Sequence, residues 1–322
     1  MSTEQILKDI RKKFDDEAVF TLNDFADYPV EVIPFGLIDL NLKSGKGGVP
    51  RGRVTEIYGD SATGKSTVCS SIIAQAQKQG IQCAYIDTEQ ALDYDFAKLI
   101  GVDPEKLIIS QPDTLEEAFG IAEMLIRSGE VGLLVFDSLV GVGSAKEFEE
   151  DEFGKANYGT AKLNTLWFRR NLPLIRENNV AVVFTNQVRD LIGAYQATLT
   201  TPGGHALRHA SSIIIQTSRV KDIKVGDDII GVEFKANFKK NKLAPPFKTA
   251  SFEIYFDKGI WREADLLTNA VQYGIVEQAG AYMRYNGDTL GQGRANTLKL
   301  LTERPDLFDE IQTALMSTLD KS

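Results

Sequence analysis

Apolar and polar positions follow two different periods along this chain. Ile6, Leu7, Ile10 and Phe14 recur at helical spacing, and Ala18 to Leu22 reads as a short extended piece before the acidic stretch around Asp24. That predicts a small, separable N-terminal unit. From Arg53 onward, β-rich runs alternate with amphipathic helical stretches: Val54 to Tyr58, Cys83 to Ile86, Leu107 to Ile109, Gly132 to Phe136, Val180 to Thr185, and Ser212 to Gln216. Such alternation predicts an α/β fold with a mainly parallel sheet and helices on both faces. Val232 to Phe238 and Ser251 to Phe256 leave no room for a full helix between them, so the sheet is expected to end in antiparallel strands. Past Trp261 the pattern is helical around Leu266 to Val276 and near Leu298 to Leu319, separated by Gly280, Gly287, Gly291 and Gly293, which predicts a small C-terminal domain.

Composition narrows the class. The 322 residues suffice for about two domains, with 43% hydrophobic and 25% charged residues. No run of about 18 apolar residues exists, and Met1 to Asp16 is charged and amphipathic, so neither a membrane span nor a signal peptide is expected. Cys69, Cys83 and two histidines supply neither a disulfide framework nor a closed zinc site, which fits a reducing cytoplasm. The net charge of −9 argues mildly against nucleic acid, yet Arg219 to Lys248 holds eight Lys or Arg against four Asp or Glu, a local excess of +4.

Chemistry enters at Gly59-Asp60-Ser61-Ala62-Thr63-Gly64-Lys65-Ser66, which matches G-x-x-x-x-G-K-[ST] between a β run and a helical stretch near Thr67. Glycines let backbone N–H groups curl around phosphates without Cβ intrusion, and the helix presents its positive end. Lys65 is placed to neutralise β and γ oxygens, and Ser66 to offer a hydroxyl to Mg²⁺. The bland alternative is a glycine-rich turn with an incidental Lys-Ser.

A second carboxylate for that metal is supplied by Asp137, at the carboxyl end of Gly132 to Phe136, although an aspartate capping the next helix would look similar. Glu89 follows the Cys83 to Ile86 strand and can orient and deprotonate water, or be a solvated loop acid; Asp87 is more ambiguous. Gln187, in Thr185-Asn186-Gln187, can sense a γ-phosphate or cap a loop. Val188 to Pro202 lacks periodicity and reads as a loop able to couple nucleotide state to a ligand. Glu147 to Tyr158 is an acidic loop, and His205 with His209 lacks a third metal ligand.

Longer words carry a resemblance. Gly52 to Gly59, Ile86 to Glu89, Ser110 to Thr114, Phe136 to Ser138, Asn186 to Arg189, Lys240-Asn241-Lys242-Leu243-Ala244-Pro245-Pro246-Phe247-Lys248 and Gly291 to Asn296 match in order and spacing. From about Val32 to Leu319 the chain resembles bacterial RecA and related phage recombinases, which are DNA-strand-exchange ATPases.

The resemblance implies a RecA-type P-loop ATPase core over 32–260, an N-terminal helix-strand oligomerisation arm over 1–31 and a small α+β C-terminal domain over 261–322. It implies helical filaments on single-stranded DNA, with double-stranded DNA as exchange partner and ATP with Mg²⁺ between neighbouring subunits. Glu89 becomes the hydrolytic base beside Lys65, Gln187 the γ-phosphate switch, and Gly59 to Thr67 the phosphate cradle. Ser66 and Asp137 become the metal residues, Asp93 and Phe96 adenine contacts, and Lys240 and Lys242 bases that reach the adjacent P-loop. Arg169, Arg189, Gly203, Gly204 and Arg208 become candidate DNA contacts, and Arg219, Lys235 and Lys239 a path for duplex DNA. A repressor and loader proteins join the candidate partners. The chain departs from the family pattern in lacking a long acidic tail after Ser322, in carrying His209 where many members have phenylalanine, and in an unusually acidic first loop. The missing tail leads us to expect DNA pairing that depends less on Mg²⁺. A ring-forming helicase and a nucleotide-gated scaffold are the competing functions.

Overall fold

The structure, a computed structural model, describes residues 2–14, 18–19, 21–22, 30–145, 157–190, 199–200 and 205–319, with backbone alone at 157–159, 189–190 and 199–200. Two compact units are present, Met1–Glu31 and Val32–Ser322.

In the first unit, α1 (Thr3–Lys13) starts at Ser2, whose hydroxyl accepts from the Gln5 N–H, and carries Glu4 in its first turn and Arg11, Lys12 and Lys13 in its last. Both ends therefore complement the helix dipole. None of its residues is buried, and Ile6 and Phe14 lie exposed. Over 18–22 no strand forms among the described residues, and Leu22 is helical. An extended segment needs a partner ladder, and none is described within this unit.

The second unit begins with a small hairpin, β1 (Val32–Ile33) with β2 (Val49–Pro50), enclosing α2 (Ile38–Ser44). Then follow β3 (Val54–Gly59), α3 (Lys65–Lys78), β4 (Cys83–Asp87), α4 (Tyr94–Ile100), β5 (Leu107–Ser110), α5 (Leu115–Arg127), β6 (Leu133–Asp137), α6 (Asn157–Glu177) and β7 (Ala181–Gln187). A two-residue pairing of β8 (Arg189–Asp190) with β9 (Leu199–Thr200) precedes α7 (His205–Ala210). The chain continues through β10 (Ile213–Val225), β11 (Asp228–Asn241) and β12 (Thr249–Tyr255).

Eight strands form one sheet in the order β12-β11-β10-β3-β7-β6-β4-β5. The run from β10 to β5 is parallel throughout, and β11 is antiparallel to both its neighbours, as the spacing of the last strands predicted. Central strands are buried on both faces, so they read as continuous apolar runs. Leu133 and Val135 join a core shared with α3, while Leu134 and Phe136 join one shared with α5 and α6. Trp167 of α6 stacks on Phe119 of α5 at 4.8 Å and donates its indole N–H to the Phe119 carbonyl at 3.0 Å.

The C-terminal region comprises α8 (Arg262–Gln272), an antiparallel sheet of β13 (Glu277–Ala279), β14 (Tyr282–Tyr285) and β15 (Asp288–Gln292), then α9 (Gly293–Glu303) and α10 (Pro305–Leu319). The helix expected over 298–319 is two helices, because Pro305 lacks the N–H an uninterrupted helix needs and suits a first helical position. Arg294 of α9 ties this region to the large sheet by donating to Glu253 at 2.6 Å, and it also donates to Thr268 at 2.9 Å. Among the described residues, no helix is long and apolar enough to cross a membrane.

A second tie is acidic. Asp265 of α8 accepts from the Ile38 N–H at 2.9 Å and from the Asn269 amide at 3.1 Å. Burial pushes its carboxyl up to about 7, opposed by the Ile38 bond and reinforced by Asp39 and Glu253. Since the folded value lies above the unfolded carboxylate range, the folded state binds the extra proton, and stability falls as pH rises from about 4 to about 7. Asp265→Asn keeps the acceptor for Ile38 and removes this dependence. Urea unfolding should show the variant gaining about 1–4 kcal/mol relative to wild type between pH 4 and pH 8. Parallel curves would refute the assignment.

Candidate functional site

β3 ends at Gly59, where a side chain has no room: a Cβ would lie 2.5 Å from the Thr217 carbonyl oxygen of β10. The loop then takes left-handed backbone at Ala62 (φ 56) and Gly64 (φ 80). At Gly64 a Cβ would also meet Ile254 Cδ1 at 2.9 Å. Thr63 pins the loop, donating to the Asp60 carbonyl at 2.8 Å and lying 2.9 Å from the Thr217 hydroxyl. Gly64 caps α3 without a side chain, so the first-turn N–H groups are left for an anion. Lys65 Nζ donates to the Gly59 and Asp60 carbonyls at 3.0 and 2.7 Å. Burial pulls its pKa down, against the pull of Asp137, Glu89 and Asp60.

Four adjacent strands deliver the rest. β3, β7, β6 and β4 are neighbours, with Gly59 paired to Gln187 and Asp87 to Asp137, so their carboxyl ends lie level. A cleft of about 220 Å³ is lined by Ser61 to Thr67 together with Glu89, Asp137 and Gln187. Asp137 is buried and accepts from Ser66 Oγ at 2.7 Å, from Tyr85 OH at 2.5 Å and from Thr185 Oγ1. Glu89 Oε1 accepts from Ser138 Oγ at 2.5 Å and from the Gln187 amide at 3.0 Å. Thr88 locks this corner: its N–H donates to the Asp137 carbonyl at 2.9 Å, and its hydroxyl accepts from the Ser138 N–H at 2.8 Å. Asp87 is a scaffold residue, accepting from Ala91, Leu92 and Gln111. Chemically the cleft combines an anion cradle, a fixed cation, paired hard oxygens and a carboxylate open to water.

The other predicted residues fall elsewhere. Asp93 caps α4 by accepting from the Phe96 N–H at 2.9 Å, and Phe96 packs on the core; neither lines the cleft. Lys240 and Lys242 lie far from this chain's own loop. Asn241 is aligned through Ile213 with Thr55, four residues before Gly59, or roughly 13 Å at about 3.3 Å per residue. Lys240 Nζ donates to the Arg208 carbonyl at 2.6 Å, and Lys242 is exposed. Arg169 and Arg208 are exposed on α6 and α7. Arg189 is described in backbone only, and Gly203 and Gly204 lie outside the described residues, as do most of 147–158 and 189–202. His205 and His209 have ring centres 6.2 Å apart. Sequence reasoning missed Tyr85, Thr88 and Ser138 as members of the site and named Thr185 only in passing. Their signal was slight: hydroxyl side chains within, or just past the carboxyl ends of, otherwise apolar strands.

Comparison with known proteins finds family matches over nearly the whole chain. The RecA N-terminal domain family matches residues 2–261, and the RecA C-terminal domain family matches residues 264–320. Protein RecA of Thermus aquaticus is 42% identical over 99% of this chain and 95% of its own length. Protein RecA of Geobacter sulfurreducens is 43% identical over 96% and 92%, and that of Heliobacterium modesticaldum 42% over 97% and 91%.

Gly64→Ala tests the loop without reference to ligand. The left-handed backbone and the 2.9 Å approach to Ile254 should together lower stability by about 1–3 kcal/mol in urea unfolding. An unchanged midpoint would show that the loop relaxes freely.

Proposed function

Because this chain belongs to the RecA family, we propose that it is an ATP-dependent recombinase that polymerises on single-stranded DNA and exchanges strands with a homologous duplex. The observation that carries the nucleotide reading is the convergence of Lys65, Ser66, Asp137, Glu89 and Gln187 on one cleft. Ser66 Oγ and Asp137 Oδ2, 2.7 Å apart beside a helix N-terminus, are hard oxygen donors of the kind that suits Mg²⁺. When bound there, Mg²⁺ would screen phosphate charge.

In this reading Lys65 exchanges its Gly59 and Asp60 carbonyl partners for phosphate oxygens. Glu89 accepts a proton from water as the water oxygen bonds to the γ-phosphorus and the bridging P–O bond to ADP breaks. Ser138 keeps the Glu89 carboxylate aimed into the cleft. Gln187 moves its amide from Glu89 to the γ-phosphate, which frees the base and shifts the segment beginning at Val188. Lys240 and Lys242, remote from their own loop, serve the P-loop of an adjoining subunit, so nucleotide closes an interface. The exposed apolar positions of α1 support residues 1–31 as the arm that docks on a neighbour, with the core at 32–260 and the C-terminal domain at 261–322. DNA is held through phosphate contacts from Arg169, Arg189, Gly203, Gly204 and Arg208, Arg219, Lys235 and Lys239 guide incoming duplex, and base pairing reads sequence. Asp93 and Phe96 receive the adenine.

Three substitutions separate these roles. Glu89→Gln should lower DNA-stimulated ATP hydrolysis at least ~100-fold while ATP-dependent binding of single-stranded DNA survives; equal turnover would remove Glu89 from its role. Lys65→Ala should abolish both. Lys242→Ala should leave nucleotide binding by dilute protein within about twofold and abolish filaments in negative-stain images; intact filaments would refute action across the subunit seam.

A further inference from the structure

Asp137 is gripped from both sides. In the sheet order β7-β6-β4, Thr185 on one flanking strand donates to Asp137 Oδ1, and Tyr85 on the other donates to Oδ2 at 2.5 Å. Ser66 Oγ reaches that same Oδ2 from the helix side at 2.7 Å. Both strand residues are sealed from solvent, Tyr85 at 1% exposure and Thr185 at 0%, so water does not substitute for either. Removing one hydroxyl vacates less than the ~15 Å³ a water needs. A carboxylate held through both oxygens is fixed in rotation about its Cβ–Cγ bond. Ser66 can then donate its proton to Oδ2 while its lone pairs stay turned toward a cation.

The geometry points to Tyr85 and Thr185 as positioning residues for the divalent-cation site, orienting Asp137 and through it Ser66, and so favouring Mg²⁺ over Ca²⁺. The selectivity follows from the two ions. Mg²⁺ demands near-ideal octahedral placement of its ligands and waters, whereas Ca²⁺ accepts irregular, flexible oxygen sets. Outer partners that fix a ligand's orientation matter in proportion to the rigidity the metal requires. This inference rests on the nucleotide reading above and extends it to two residues whose side chains do not line the cleft.

Equilibrium binding of mant-labelled ADP, followed by fluorescence without turnover, tests it. For Tyr85→Phe and for Thr185→Val, the Mg²⁺ concentration giving half-maximal enhancement should rise about 5–10-fold. The Ca²⁺ value should move less than about twofold, and affinity in EDTA should stay within about twofold of wild type. Thr185→Ser, which keeps the hydroxyl, should restore the Mg²⁺ value. A parallel shift of both ions, failure of serine to rescue, or Mg²⁺ values unchanged in both variants would overturn the role. If wild-type protein fails to bind mant-labelled ADP at all, the nucleotide reading falls and this inference with it; if it binds equally well with and without Mg²⁺, the nucleotide reading stands and this inference alone is overturned. Should Tyr85→Phe fail to fold by circular dichroism, the Thr185 pair decides alone.

Discussion

A carboxylate at the end of an apolar strand is tolerable only when hydrogen-bond donors meet it, and the organisation of this protein's cleft depends on how Asp137 meets that condition. Its three hydroxyl donors come from a helix and two flanking strands, so the bond set requires α3, β4, β6 and β7 to be in register at once. The same requirement places the loop at Gly59, the water-facing Glu89 and the amide of Gln187 within one small volume. Folding and site assembly are here one event, because the donors exist at that point only in the completed sheet.

Parallel topology supplies the level strand ends, and it also separates. In a parallel sheet one end of every strand collects loops that can bind ligands, and the other end is remote from them. Lys240 and Asn241 align with the early part of β3, on the far side of the sheet's midline from Gly59. A cation in that position cannot complete its own cleft. The division of one chemical site across two copies of a chain is thus compatible with this strand order.

Much of this was legible in sequence for a physical reason. The P-loop and the apolar strands ending in Asp137 and Gln187 are local words, in which backbone demand and chemistry coincide. The family words extended that reading to Lys240, Lys242 and the C-terminal region. Long-range partnerships were not legible. Nothing in Cys83-Ala84-Tyr85-Ile86 distinguishes a core aromatic from one whose hydroxyl holds a carboxylate 52 positions away. Asp87 reads in sequence as more ambiguous than Glu89, and its bonds to Ala91, Leu92 and Gln111 show that it shapes the loop. The three short strands between Glu277 and Gln292 escaped individual notice because Gly280, Gly287 and Gly291 dominate the pattern there.

β10 has one further property. It pairs with β3 only from Ile213 to Gln216, and among the described residues the same edge is unpaired from Thr217 to Val225. Bare ladder groups on such an edge invite fusion with any stray strand. Here the edge carries Arg219, Lys221 and Lys224, and its pairing with β11 shifts register at three places, which twists the ribbon out of line. Charge and broken register together leave this margin of the sheet a poor template for any further strand, so its open ladder is guarded without being covered.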